Sequence, residues 1–266
     1  MEILSFLLAA LIGISLGLIG AGGSILTVPV LVYLVGVDPV LATAYSLFVV
    51  GSTALVGGFQ NFRKGLVDLK TVVVFGAPAI VTVYATRAFV LPTVPDTLFS
   101  AGGIEVSKGT ALLVVFAALM VATSLSMLRE GKPAELDRLE SRHKTPLILA
   151  EGVGVGFVTG LVGAGGGFLI IPALVLLAGL EMKLAIGTSL LIIAAKSLIG
   201  FAGDIQTGRE IDWLFLVTFT GFSIVGIFVG TRLTRKIDGK KLKKGFGWFV
   251  LAMGIYMILR ETLAFV

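Results

Sequence analysis

The sequence contains no cysteine and only one histidine, His143. The absence of cysteine excludes disulfides, zinc thiolates, iron–sulfur clusters and thiol nucleophiles. A single histidine in a hydrophilic stretch supports neither a metal site nor a catalytic one. The chain also lacks a Walker A motif and an HExxH motif, so neither ATP-driven transport nor intramembrane proteolysis has support within this chain. We therefore predict no catalytic residue, no metal site and no cofactor.

Charged residues are also scarce, at 14% of the chain against 56% hydrophobic residues. Soluble domains contain about one-quarter charged residues, so this composition predicts a multi-pass protein in a lipid bilayer. The apolar segments number about eight and are too continuous for barrel strands, which alternate apolar and polar residues. The net charge of +5 is small. The basic residues lie in loops, which fits membrane orientation and gives no reason to expect nucleic-acid binding.

Glycine is abundant, and one glycine-rich stretch occurs twice: GLIGAGGSILTVP at residues 17–29 and GLVGAGGGFLIIP at residues 160–172. In each place an apolar run of helix length stops at the glycines and restarts for about 14 residues. Such a helix would reach about 21 Å, which is shorter than the roughly 30 Å hydrocarbon core of a bilayer. Each stretch therefore predicts a broken helix whose second piece begins inside the membrane.

The order of segments also repeats, which indicates an internal duplication of the kind found in secondary transporters. The predicted fold is an all-α polytopic membrane protein with two homologous repeats, each a glycine-broken helix unit followed by three spans. The first repeat, 1–128, has a broken unit at 3–37, spans at 40–59, 69–90 and 110–128, and a polar loop at 91–108. A hydrophilic linker, 129–145, leads to the second repeat, 146–266, with a broken unit at 147–180 and spans at 184–202, 213–231 and 245–259.

The distribution of Lys and Arg favours inverted rather than parallel repeats. If each broken unit crossed the membrane once, these residues would divide evenly between the two sides. If each unit starts and ends on the same side, as a re-entrant hairpin or as two short crossings, most of them fall on one side, as is typical of cytoplasmic loops. The protein is therefore predicted to lie in the inner membrane with both termini outside. The predicted cytoplasmic loops are 60–70, 129–145, 179–183 and 232–244.

The starts of the two half-helices form the predicted substrate site. They consist of Gly22, Gly23 and Ser24, and of Gly165, Gly166 and Gly167. Backbone N–H groups at a helix start and the helix dipole both attract anions, and inverted repeats would bring the two starts together near the membrane midplane. The alternative is that the glycines only allow close helix packing. Because two clusters occur in register, we favour a small anionic substrate.

Lys196 is the one Lys or Arg placed deep inside a predicted span. A buried cation is costly in a membrane unless it is paired or hydrated, so Lys196 is a candidate for substrate binding and proton coupling. Glu151, one turn inside its helix, is a second candidate for proton coupling or a partner for Lys196, although its position also suits an interface residue. Arg87 and Arg232, at span ends, are predicted to be interface anchors.

Hydroxyl groups on the neighbouring spans could line the same site. The candidates are Tyr45, Ser46, Thr188 and Ser189. Ser and Thr in membrane helices also bond to their own backbone or to a neighbouring helix, which is the alternative for each of them.

The doubled GxxGxGG…P stretch, the segment GTSLLIIAAKSLIGFAGD and the GTRL ending of the seventh span together resemble the TauE/SafE family of membrane permeases, the sulfite exporter group. The resemblance covers essentially the whole chain, and it implies an anion permease for sulfite, organosulfonates or similar sulfur-containing anions. The family motif carries over to Gly20, Gly22, Gly23, Pro29, Gly163, Gly165, Gly166, Pro172, Ser189 and Ser197. The resemblance does not account for Lys196.

Two functions remain open from the sequence. The first is a secondary anion transporter that works by alternating access; the second is an anion channel or a non-transporting membrane subunit of a sulfur-metabolism complex. Paired broken helices favour the transporter, because a scaffold has no need of helix ends at the midplane. The sequence leaves the identity of the anion, the direction of transport and the formation of a homo-oligomer open.

Overall fold

The computed structural model describes residues 2–20, 22–101, 104–128, 144–176, 178–208, 210–233 and 239–263. The helices are α1 (Glu2–Ile19), α2 (Gly22–Pro29), α3 (Pro39–Arg63), α4 (Leu69–Ala85), α5 (Leu91–Thr93), α6 (Lys108–Leu128), α7 (Lys144–Val162), α8 (Gly167–Leu176), α9 (Met182–Gln206), α10 (Trp213–Leu233) and α11 (Gly239–Leu263). π-helical turns, Val30–Val35 and Thr86–Val90, continue α2 and α4. Most of the predicted linker and residues 234–238 of the basic loop lie outside the described residues.

The predicted polar loop 91–108 contains a structure that the sequence analysis missed. Strands β1 (Thr97–Ala101) and β2 (Ile104–Ser107) pair antiparallel as a short hairpin. A backbone bond of 2.8 Å from the Lys108 amide to the Asp96 carbonyl ties its base to the start of α6. Three helices also extend well beyond the predicted spans, because α3 continues to Arg63, α9 continues to Gln206 and α11 runs from Gly239 to Leu263.

The described helices are suited to a membrane by length and by surface. Five of them are long and apolar enough to cross one: Pro39–Arg63, Leu69–Thr93, Lys108–Leu125, Met182–Gln206 and Trp213–Leu233. Their outward faces carry exposed large apolar side chains, including Val73, Val81, Val115, Leu214 and Val225. Such surfaces belong in lipid rather than in water. The protein is an α-helical, multi-pass membrane protein.

Helices α3 and α9 pack against each other through the centre of the molecule and run antiparallel. Gly51 of α3 lies against Leu198, whereas Gly58, two turns later, lies against Leu191, earlier in α9. The glycines let the two helices approach closely, as small residues do in membrane proteins. About two-thirds of the apolar stretch of each helix is buried, which makes this pair the core of the fold.

Two parallel helix pairs flank this core. In the pair of α1 and α10, Gly13 lies against Ser223 and Gly17 lies against Ile227. In the pair of α4 and α7, Gly152 lies against Phe75 and Gly160 lies against Thr86. Helices α6 and α11 form a further pair at the side, where Gly254 packs on Met120.

These contacts define two ends of the molecule. Face A is the end where α3 and α10 begin, because the Asp212 amide at the start of α10 donates to the Tyr45 hydroxyl of α3 at 2.7 Å. Face B is the end where α4 and α9 begin, because the Asp68 amide donates to the Thr188 hydroxyl at 2.9 Å. Helix α1 therefore starts at face A and α7 at face B.

Both broken units turn back inside the molecule. Ser5, near the start of α1, and Val35, at the end of the π-helical turn after α2, line one groove at face A. Gly23 at the start of α2 packs back on Ile12 and Leu16. The second unit starts at face B with α7 and returns there, where α8 is followed by the start of α9. The first unit thus starts and ends at face A, and the second at face B.

Candidate functional site

The starts of α2 and α8 meet in the middle of the molecule. A Cβ placed on Gly165, just before α8, would lie 3.1 Å from the Ser24 Cβ in the first turn of α2. The same position contacts Val50, halfway along α3, and Ile193, halfway along α9. Ser24, Gly165 and their neighbours are buried. The structure therefore brings the two predicted glycine clusters together at the level where the antiparallel core helices cross.

Lys196 lies at this meeting point. Its side chain has no exposed surface, and its Nζ donates to the Thr159 Oγ1 on α7 at 2.7 Å. A Cβ on Gly166 would lie 3.0 Å from that Nζ, so the ammonium group rests directly against the second glycine cluster. Among the described residues, no acidic side chain forms an ion pair with Lys196. A cation whose bonding partner is a neutral hydroxyl can still attract an anion.

Two buried hydroxyls near the centre have no hydrogen-bond partner within the described part of the chain. They are the Oγ of Ser46, on α3, and the Oγ of Ser197, next to Lys196. Buried polar groups are almost always bonded in native proteins, so an unbonded one needs an explanation, such as a ligand or water. Ser46 and Ser197 are therefore candidates to face a small polar guest.

The other predicted hydroxyls are occupied elsewhere. The Ser189 Oγ donates to the Ile186 carbonyl of its own helix at 2.9 Å, which is the alternative that the sequence left open. The Tyr45 hydroxyl accepts from the Asp212 amide at face A, and the Thr188 hydroxyl accepts from the Asp68 amide at face B. The structure therefore does not bring Tyr45 and Thr188 to the glycine clusters.

Glu151 lies away from Lys196. It precedes Thr159 by two helical turns on α7, or about 12 Å along the axis, on the side of face B. Its carboxylate is partly buried, and one oxygen, Oε2, has no partner among the described residues. The pairing of Glu151 with Lys196 is not present in this structure.

Arg87 is placed differently from the prediction. Its side chain is fully buried rather than at the membrane interface, so the interpretation as an interface anchor is wrong. The Arg87 Nη1 lies 3.3 Å from the Asp204 Oδ1 and donates to the Thr43 Oγ1 at 3.0 Å. Arg232, which follows threonine in the second half as Arg87 does in the first, is exposed. The recurring Thr-Arg pair was visible in the sequence, but Asp204, the partner of Arg87, fell outside the predicted span.

Comparison with known proteins agrees with a multi-pass membrane protein. The family model described as "Sulfite exporter TauE/SafE" matches residues 5–257. A probable membrane transporter protein of Xylella fastidiosa (strain 9a5c) is 33% identical over 261 residues, which cover 94% of this chain and 92% of that protein. The probable membrane transporter protein YunE of Bacillus subtilis (strain 168) is 25% identical over 279 residues, with 96% of each chain covered.

A further relative matches over a shorter stretch. The probable membrane transporter protein MJ0441 of Methanocaldococcus jannaschii is 36% identical over 118 residues, or 42% of this chain and 44% of that protein. No solved structure matches the chain. The family match spans nearly every helix described above, and the chain therefore belongs to the sulfite exporter TauE/SafE family of membrane transporters.

Proposed function

We propose that the protein is a secondary permease that moves a small anion across the cytoplasmic membrane by alternating access. The substrate site lies where the starts of α2 and α8 meet beside Lys196. The substrate is a sulfur-containing oxyanion or an organosulfonate. Face B, which carries the basic loops, is the cytoplasmic face.

The observation that carries the proposal is the position of the Lys196 Nζ against Gly166, at the start of a short helix in the middle of the core. Each helix start contributes about half a positive charge. Two starts and one ammonium group together suit an anion of charge −1 or −2. An anion held there would exchange its hydration for backbone and hydroxyl donors, Ser46 and Ser197 included.

The packing around the site favours alternating access over an open channel. Lys196, Ser24 and Ser197 have no exposed surface. Toward face A the route is closed by Gly163 packed on Thr43, and toward face B by Gly20 packed on Ile186. A site closed at both ends requires a movement of the helices before substrate can enter or leave, as expected of a carrier with inverted repeats.

The choice of substrate class combines site chemistry with family membership. Sulfite and sulfonate groups present several oxygen acceptors around a small anionic centre, and these oxygens match converging N–H and hydroxyl donors. The family to which the chain belongs is described as a sulfite exporter family.

The proposal is tested with purified protein in liposomes, by measuring uptake and binding of sulfite, thiosulfate, sulfoacetate and chloride. Lys196→Gln should weaken binding at least about tenfold, because it removes the fixed charge, whereas Lys196→Arg should keep binding. Lys196→Arg should lose any coupling to protons, because arginine does not release its proton.

Lys108→Gln is the matched control for these variants. Lys108 is also a buried lysine, but its Nζ donates to the Val94 carbonyl at 2.8 Å near face A, away from the site. Its replacement should leave anion affinity unchanged. If Lys196→Gln and Lys108→Gln bind the anions as the parent does, Lys196 plays no part in binding.

A further inference from the structure

Arg87 and Asp204 form a second buried group of charges in the half of the molecule toward face A. Both side chains are almost fully buried, and Arg87 also contacts Thr43 on α3. Lys196 and Asp204 are on the same helix and eight residues apart, so Asp204 lies about 12 Å from Lys196 along the axis of α9. The Arg87 guanidinium group, which is paired with Asp204, therefore lies between the proposed site and face A.

A polar face of α3 connects the two positions. Thr43, Ser46 and Val50 follow one another at intervals of three and four residues, so they share one side of the helix. Thr43 contacts Arg87, and Val50 contacts Gly165. Ser46 lies between them, and its buried Oγ has no partner in the described residues. An unbonded hydroxyl thus stands midway between Arg87 and the glycine clusters.

The corresponding route toward face B has a different chemistry. Gly20 packs on Ile186 there, as Gly163 packs on Thr43 at the other end, but isoleucine offers no hydrogen bond. The Ser189 hydroxyl, which corresponds to Ser46, is bonded within its own helix. Arg232, which corresponds to Arg87, is exposed. The buried ion pair and the unbonded hydroxyl therefore lie on the route toward face A, whereas their counterparts toward face B are an exposed arginine and an already bonded serine.

We propose that Arg87 is a second anion-contacting residue, between the Lys196 site and face A, and that Asp204 occupies its guanidinium group when no anion is there. A sulfonate or sulfite oxygen can accept from a guanidinium group in the way a carboxylate oxygen does. The anion and Asp204 therefore compete for Arg87. This inference rests on the proposed anion transport, and it assigns a residue that selects for anions on the face A route.

The competition also connects the anion to the closure of face A. Thr43 touches both Arg87 and Gly163, the glycine that ends α7 before the second cluster. An anion that draws Arg87 away from Asp204 and Thr43 removes the hydrogen bond that holds the end of α4 on α3, next to the contact of Thr43 with Gly163. Entry or exit through face A would then require the anion itself.

The test is a binding titration of purified protein with sodium sulfite and with sulfoacetate, using Asp204→Asn, Arg87→Gln and the double variant. Asp204→Asn removes the competitor and should tighten binding about tenfold, the scale of one charge-assisted hydrogen bond. Arg87→Gln should weaken binding by a similar factor. The double variant should bind as weakly as Arg87→Gln, because the competitor has no effect once the guanidinium group is gone.

Arg232→Gln is the matched control, since it removes the corresponding but exposed arginine, and it should leave affinity unchanged. The double variant leaves no unpaired charge and so remains testable if either single variant fails to fold. If it binds as the parent does, the ion pair only holds helices together and the inference is overturned. If anion binding by the parent depends on Lys196 but Asp204→Asn does not tighten it, this inference fails and the proposed function stands. If the parent binds neither anion, both fail.

Discussion

Gly163 occupies a position that no other residue can fill without strain. Its backbone has φ of +72°, in the left-handed region that favours glycine. A Cβ at this position would overlap the backbone and side chain of Thr43 on α3. The glycine therefore serves both the turn between α7 and α8 and the close packing of the end of α7 on α3.

A comparison of Gly163→Ala with Gly179→Ala separates the cost of the backbone conformation from the cost of the contact with Thr43. Gly179 has φ of +66°, and none of the described residues lies within 4 Å of a Cβ placed on it, so Gly179→Ala should cost only the strain of the left-handed backbone, about 1–2 kcal/mol. Gly163→Ala should cost that amount plus about 1–3 kcal/mol for overpacking against Thr43. Thermal unfolding of both variants in detergent measures the difference. Equal losses of stability in the two variants would show that Thr43 moves aside at little cost.

Lys196 and Arg87 show what a sequence can and cannot predict about single residues. Lys196 has apolar residues on both sides, so its depth follows from helix geometry alone. Arg87 stands at the end of a span, where an arginine normally reaches water. Its burial depends on Asp204, 117 positions later in the chain, and such a pairing becomes visible only when α4 and α9 are packed together.

The close approach of helices α1 and α10 depends on glycines along both helices. Gly226 and Gly230 of α10 lie against the Ala10 and Ile14 carbonyls of α1, and Gly17 lies against the Ile227 carbonyl. The two backbones are in contact along several turns, which is how helices associate in lipid. Any side chain at these positions would push the helices apart.

We expect Gly226→Ala and Gly221→Ala to change stability in opposite directions. Both are in α10, but a Cβ on Gly226 would overlap the Ala10 carbonyl, whereas none of the described residues lies within 4 Å of one on Gly221. Gly226→Ala should destabilise the protein by about 1–3 kcal/mol. Gly221→Ala should stabilise it by up to about 1 kcal/mol, since alanine favours the helix. Thermal unfolding in detergent again measures both stabilities, and a Gly226→Ala variant as stable as the parent would contradict the close packing of α10 on α1.

Helix breaks and spans were predictable because glycine clusters and apolar runs act locally. The hairpin of β1 and β2 was not, since its strands are short and lie in a polar stretch with no alternating pattern of useful length. The ends of α3 and α9 were also underestimated. Hydropathy falls at Asn61 and Asp204, but both residues still belong to helices, which continue past the apolar core to Arg63 and Gln206.

The orientation of the whole molecule remains a prediction that the absence of cysteine makes easy to test. Single cysteines at Asp137 and Lys240 should react with an impermeant maleimide only from the cytoplasm, because the basic loops are there. A cysteine at Asp96, whose carboxylate is exposed near Lys108 at face A, should react only from outside. Labelling of Asp96→Cys and Lys240→Cys from the same side would exclude the inverted arrangement.

The hydroxyl partner of Lys196 has an electrical consequence for the proposed cycle. Arg87 and Asp204 neutralise each other, so a protonated Lys196 leaves the empty site with one positive charge, and a bound monovalent anion cancels it. A charge that crosses the whole membrane field is worth about 2.3 kcal/mol per 100 mV. A negative cytoplasm would therefore favour the empty site facing inward, ready for a cytoplasmic anion, and would leave the loaded site indifferent. Net flux in liposomes under an imposed potential should then be biased toward export, and Lys196→Gln should remove that bias.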